Sequence, residues 1–158
     1  LEAGTIGIRK VASEAELWPL VDGLGDRASF HLLEQFVPGA VFHVDSVVYE
    51  REVLVAVASR YGRPPFDVSH GGGVFTTQLV ERGGADDRAL QTVNRAVLTA
   101  LGLVRGVSHT EFIHGADGQW YFLETSARVG GAHIVELVEA ATGMNLWAEW
   151  AKVELAGG

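Results

Sequence analysis

Asp117-Gly118 lies between two β-prone runs, Val107 to His114 and Trp120 to Ser126, and nothing else in the chain constrains its fold as strongly. An Asp-Gly pair so flanked predicts a β-hairpin closed by a two-residue type I′ turn, because both turn positions need a positive φ. Such a turn closes on Ala116 and Gln119 and sets Glu111 opposite Glu124. The two fall on a pair without backbone hydrogen bonds, with Cα atoms about 4.5 Å apart. The same count places Trp120, Phe122 and Ile113 on the glutamate face toward the turn, and His109, Ser126 and Arg128 beyond the glutamates. Opposed carboxylates repel by up to ~1 kcal/mol unless one is protonated or a cation lies between them. Oxygen ligands favour a hard ion, and Mg²⁺ uses one or two carboxylates plus substrate phosphates. Two alternatives stand: the acids are solvated or paired with Arg and Lys, or a turn one residue longer sends them to opposite faces. His109 alone reads as a core or hydrogen-bonding histidine.

The remaining pattern is of antiparallel strands with helices between them, an α+β class rather than a regular βαβ alternation. Thr5 to Val11 and His31 to Val37 alternate like strands, and Val41 to Tyr49 with Val53 to Ser59 reads as a hairpin. Ser13-Glu14-Ala15-Glu16 fits a capping box and predicts a helix over 14–22. Asp86 or Asp87 caps a second helix, whose Leu90, Val93, Val97 and Leu101 recur at helical spacing before Gly102. Two further helices span about 132–141 and 145–155. Residues 60–73 read as a loop, and Gly71-Gly72-Gly73 as a flexible connection.

Composition narrows the function. At 158 residues the chain is long enough for one core, and 47% hydrophobic residues make it globular. Twelve Lys and Arg against 20 Asp and Glu give a net charge of -8, which argues against nucleic acid as a partner. The absence of Cys excludes disulfides, thiolate zinc sites and a catalytic thiol. No apolar run reaches the ~20 residues of a membrane span and no signal peptide opens the chain, so a soluble, cytoplasmic protein is expected. The chain starts at Leu1 without Met, which reads as a fragment of a longer protein or a processed chain. Gly4-Thr5-Ile6-Gly7 would let backbone N–H groups approach phosphate oxygens, with Arg9 and Lys10 adding positive charge. It lacks the Lys-Ser/Thr ending of a P-loop, so an ordinary tight turn is the alternative. Gly130-Gly131 could turn the chain under a ligand or start a helix.

In order along the chain, Gly4-Thr5-Ile6-Gly7, Leu33-Glu34-Gln35-Phe36-Val37-Pro38-Gly39, His109-Thr110-Glu111-Phe112 and Phe122-Leu123-Glu124-Thr125-Ser126-Ala127-Arg128 resemble the ATP-grasp superfamily. The resemblance implies the C-terminal lobe of that fold over residues 34–158, an antiparallel sheet packed with helices, and a remnant of the smaller lobe over residues 1–33. Members use ATP and Mg²⁺ to phosphorylate a carboxylate, and an amine or other nucleophile then attacks the acyl phosphate. By the same resemblance, Gly4, Thr5, Ile6 and Gly7 form the glycine-rich loop over the phosphates, and Glu34, Gln35, Phe36 and Val37 the adenine-binding hinge. Glu111 and Glu124 are the magnesium acids, with Ser126 where most relatives carry Asn. Arg128 stabilises charge on the transferring phosphoryl group. Val41 stands where many relatives hold the ribose, which leaves His43 or Asp45 to compensate.

The implied activity is a carboxylate-amine ligase acting on a small-molecule acid and an amine, and Ala127-Arg128-Val129-Gly130-Gly131 resembles the amino-acid-ligase side of the family. A biotin-carboxylase-like carboxylase and a non-catalytic nucleotide-binding module are the alternatives. The family's phosphate-binding Lys-Pro segment would lie before Leu1, so weak or no turnover is expected of this chain without that N-terminal segment.

Overall fold

The computed structural model describes residues 5 and 7–156. Two compact units divide the chain, the first ending at Val37 and the second beginning at Pro38. In the first, helix α1 (Glu14–Leu24) is followed by a 3-10 helix, Gly25–Phe30. Ser13 caps α1 by accepting from the Glu16 N–H at 3.3 Å, and the Glu16 carboxylate accepts from the Ala12 N–H at 2.9 Å. Sequence alternation predicts strands over 5–11 and 31–37. Neither segment forms one among the described residues, because alternation supplies a face and not a partner edge. Lys10 Nζ instead stands 3.6 Å from the centre of the Phe36 ring.

The second unit is a five-stranded antiparallel sheet with helices on both faces. Its strands are β1 (Gly39–Tyr49), β2 (Glu52–Tyr61), β3 (Thr77–Leu79), β4 (Gly106–Gly115) and β5 (Trp120–Ser126), ordered β3-β2-β1-β4-β5. The helices are α2 (Pro65–Gly71), α3 (Ala85–Leu101), α4 (Ile134–Thr142) and α5 (Leu146–Leu155). α2 and β3 are absent from the sequence-based expectation: one starts inside a Pro-rich loop and the other spans three residues. Leu90 of α3 packs with Phe42, Val44, Ala56, Ala58 and Phe112 on one face. On the other, Ile134, Val135 and Val138 of α4 and Leu146 and Val153 of α5 cover Val47, Val57 and Val107. Period-two alternation along β1 feeds both cores from one strand. No helix among the described residues is long and apolar enough to cross a membrane.

The β4–β5 turn differs from the expected two-residue form. Gly115 N–H donates to Gln119 O and Gly118 N–H to Gly115 O, both at 2.9 Å, so the loop is Ala116-Asp117-Gly118. Gly118 takes φ 78°, which a glycine adopts without strain. One extra loop residue shifts the first pairs to His114↔Trp120, Ile113↔Tyr121 and Phe112↔Phe122. A bulge at Leu123 then reverses the shift, and the ladder resumes as Glu111↔Glu124, Thr110↔Thr125 and His109↔Ser126. Trp120 and Phe122 are therefore not on the glutamate face. They meet Phe42 and Phe112, with ring centres 4.9 and 6.2 Å apart, on the α3 side.

Candidate active site

Beyond the valines that α4 and α5 cover, the same sheet face turns polar. Cross-strand register brings His43 beside Ser59 and Glu111, Asp45 beside His109, Glu111 beside Glu124, and Tyr61 beside Thr77. The local cause is alternation: Phe42 and Val44 face α3, as does Ser46, which accepts from Asn94 of that helix, and this leaves His43 and Asp45 to the opposite face.

These side chains form a continuous hydrogen-bonded chain across four strands. His43 Nδ1–H donates to Asp45 Oδ2 at 2.7 Å, and its Nε2 lies 2.8 Å from Thr77 Oγ1. His109 Nδ1–H donates to Asp45 Oδ1 at 2.9 Å, so both oxygens of this fully buried carboxylate are taken. His109 Nε2 stands 3.4 Å from Glu111 Oε1, and the Tyr61 hydroxyl donates to that same oxygen at 2.7 Å. The Tyr61 and His43 rings pack with centres 4.8 Å apart.

Burial and hydrogen bonding compete at each titratable group. Burial raises the Asp45 carboxyl, but hydrogen bonds from His109 and His43 outweigh it and hold the group below its usual range. Glu111 behaves alike, with His109 and Tyr61 outweighing burial. For His109 burial favours the neutral ring, yet the bonds to Asp45 and Glu111 win and lift its pKa to about 9. Burial and the Glu111 charge push Tyr61 well above the ordinary tyrosine range, so its hydroxyl is a donor at neutral pH. The face thus carries a carboxylate, an imidazolium and a second carboxylate in sequence.

The candidate residues read from the sequence fall in different places. Glu124 is exposed, Ser126 half-buried and Arg128 exposed, with Arg128 Nη1 donating to Val129 O at 2.9 Å. Gly130 is buried, and a Cβ there would lie 2.8 Å from Asp45 Oδ1, so the segment after Arg128 rests directly on the network. Asp45, which the resemblance offers beside His43 as a ribose contact, stands at the centre of the network with one histidine on each carboxylate oxygen. In the first unit, Glu34, Gln35 and Phe36 are exposed and Val37 half-buried, on irregular backbone. Thr5 and Gly7 belong to a tight turn, with φ 63° and 79°. Gly4 and Ile6 lie outside the described residues.

Sequence reasoning left Tyr61 and Thr77 unassigned and did not join His43, Asp45 and His109 into one network. The available signal was polar residues at every second position inside valine-rich strands. His43, Asp45 and His109 also offer ligand atoms within 4.8 Å of one another, the spacing of a metal site. The Nδ1–H groups of His43 and His109 already donate to Asp45 at hydrogen-bond distance, which satisfies these atoms without an ion.

The five-stranded sheet and its helical layers have the ATP-grasp fold, which solved structures similar to this chain share. The chain is similar to the L-amino acid ligase from Bacillus licheniformis, with 26% identity and a TM-score of 0.65 over 89% of this chain and 34% of that one. Phosphoribosylglycinamide synthetase from Anaerococcus prevotii matches 89% of this chain and 36% of its own at 22% identity and a TM-score of 0.59. D-alanine–D-alanine ligase from Bacillus anthracis matches 95% of this chain and 51% of its own, at 15% identity and a TM-score of 0.66. The chain spans between about a third and a half of the length of these ligases. No protein-family model and no curated sequence matches it.

Proposed function

We propose that this chain is part of an ATP-grasp ligase that joins a carboxylate to an amine. The carrying observation is the register of Glu111 against Glu124, with Arg128 four residues on, within a fold shared with an amino acid ligase. The donors there are two carboxylates and the Ser126 hydroxyl, an all-oxygen set that suits Mg²⁺, and Glu111 is held ionised as a cation ligand must be. When bound, Mg²⁺ supplies charge neutralisation on the phosphates of ATP.

Within this reading Glu111 and Glu124 bind the cation. Arg128 stabilises the γ-phosphoryl group as it passes to the substrate carboxylate, giving an acyl phosphate and ADP. The amine then displaces phosphate and an amide bond forms. Gly4, Thr5, Ile6 and Gly7 cover the phosphates, Glu34 to Val37 bind adenine, and residues 1–33 and 34–158 act as parts of two lobes. Asp45 orients His43 and His109. Calorimetric titration with Mg-ATP tests the nucleotide half: the chain should bind, and Glu124→Ala should abolish the metal-dependent component. Binding unchanged by that substitution refutes the assignment.

A further inference from the structure

Glu111 is held from one side only. The Tyr61 hydroxyl donates to Oε1 at 2.7 Å and His109 Nε2 stands 3.4 Å from the same oxygen, whereas Oε2 has no hydrogen bond among the described residues. A hydroxyl bonded to a carboxylate at this distance is charge-assisted and among the stronger hydrogen bonds of a protein interior. Tyr61 has little freedom to withdraw it. Its ring packs on His43, itself tied to Asp45 and Thr77, and its backbone pairs with Thr77 of β3. The clamp on Oε1 is therefore built from β1, β2, β3 and β4 together.

Cations differ in how they use a carboxylate. Calcium takes six to eight oxygens in flexible geometry and accepts both oxygens of one group, whereas magnesium demands a near-ideal octahedron with short bonds. Each carboxylate oxygen has two acceptor sites, and the Tyr61 hydroxyl and His109 Nε2 occupy both on Oε1, which leaves Oε2 for a cation. We propose that Tyr61 is a specificity-determining residue for the cation: by holding Oε1 it makes Glu111 a one-oxygen ligand and so favours a small octahedral ion over calcium. This rests on the reading of Glu111 as a magnesium ligand.

The test uses the full chain with a non-hydrolysable ATP analogue. Bound Mn²⁺ is followed by electron paramagnetic resonance, and Mg²⁺ or Ca²⁺ is added as competitor. Tyr61→Phe removes one oxygen and keeps the ring, and it should move the Mg²⁺ to Ca²⁺ affinity ratio toward Ca²⁺ by about tenfold, the low end of what changing a group behind a metal ligand does. Both affinities come from one sample, so a partly unfolded variant leaves their ratio intact. An unchanged ratio in Tyr61→Phe, with Mn²⁺ binding lost in Glu111→Gln, overturns the role of Tyr61 alone. Mn²⁺ binding unchanged in Glu111→Gln overturns the reading of the site itself.

Discussion

His109 should make the stability of this protein fall between neutral and alkaline pH. Folded, it keeps its proton to about pH 9, against 6.5 for a free imidazole. Below pH 6.5 both folded and unfolded chains hold this proton, and its stabilising effect is complete. Above that, the unfolded chain releases the proton first, and the advantage declines until the folded ring also titrates. A difference of about 2.5 pKa units corresponds to about 3 kcal/mol lost over this window. Tyr61 ionises well above it and does not interfere. Asp45 and Glu111 act in the opposite sense: their folded values are depressed, so their contribution is present above the usual carboxylate range and fades as acid protonates them. Both limbs describe the same contacts, and their energies are not additive. Urea unfolding of the cation-free protein from pH 5 to 10 measures the effect, and His109→Gln should flatten the alkaline slope while lowering stability throughout. Equal slopes for the two proteins between pH 6.5 and 9 would refute the assignment of the charge to His109.

Gly130→Ala places a methyl group 2.8 Å from both Asp45 Oδ1 and Ile134 Cγ2, and should destabilise the fold by about 1–3 kcal/mol in urea unfolding. Phe112→Ala empties a fully buried site between the sheet and α3, and should cost about 3–5 kcal/mol in the same assay.

Sequence pattern located most of the second unit because its strands and helices carry full periods of apolar residues. The hairpin of Val41 to Ser59 and the helix through Leu90 are of this kind. Thr5 to Val11 and His31 to Val37 carry the strand period too, yet whether a partner edge lies beside them is decided by tertiary structure. The opposition of Glu111 and Glu124 follows from a two-residue turn on paper. In the protein it follows from a three-residue loop and a compensating bulge. Local sequence had no means to reveal the bulge, since Leu123 is an ordinary strand residue. The clamp on Glu111 was hidden for another reason: Tyr61 is 50 positions away, and only the β2-β1-β4 order brings it near.

The bulge at Leu123 also uncouples the two ends of its hairpin. In a regular ladder one residue gained at the tip would turn over every side chain to the base. Here a single irregularity absorbs that slip, so Trp120 and Phe122 stand on the α3 side while Glu124 and Ser126 stand on the other. One short strand thereby keeps two phases, and the acidic end holds its own whatever the distal loop requires.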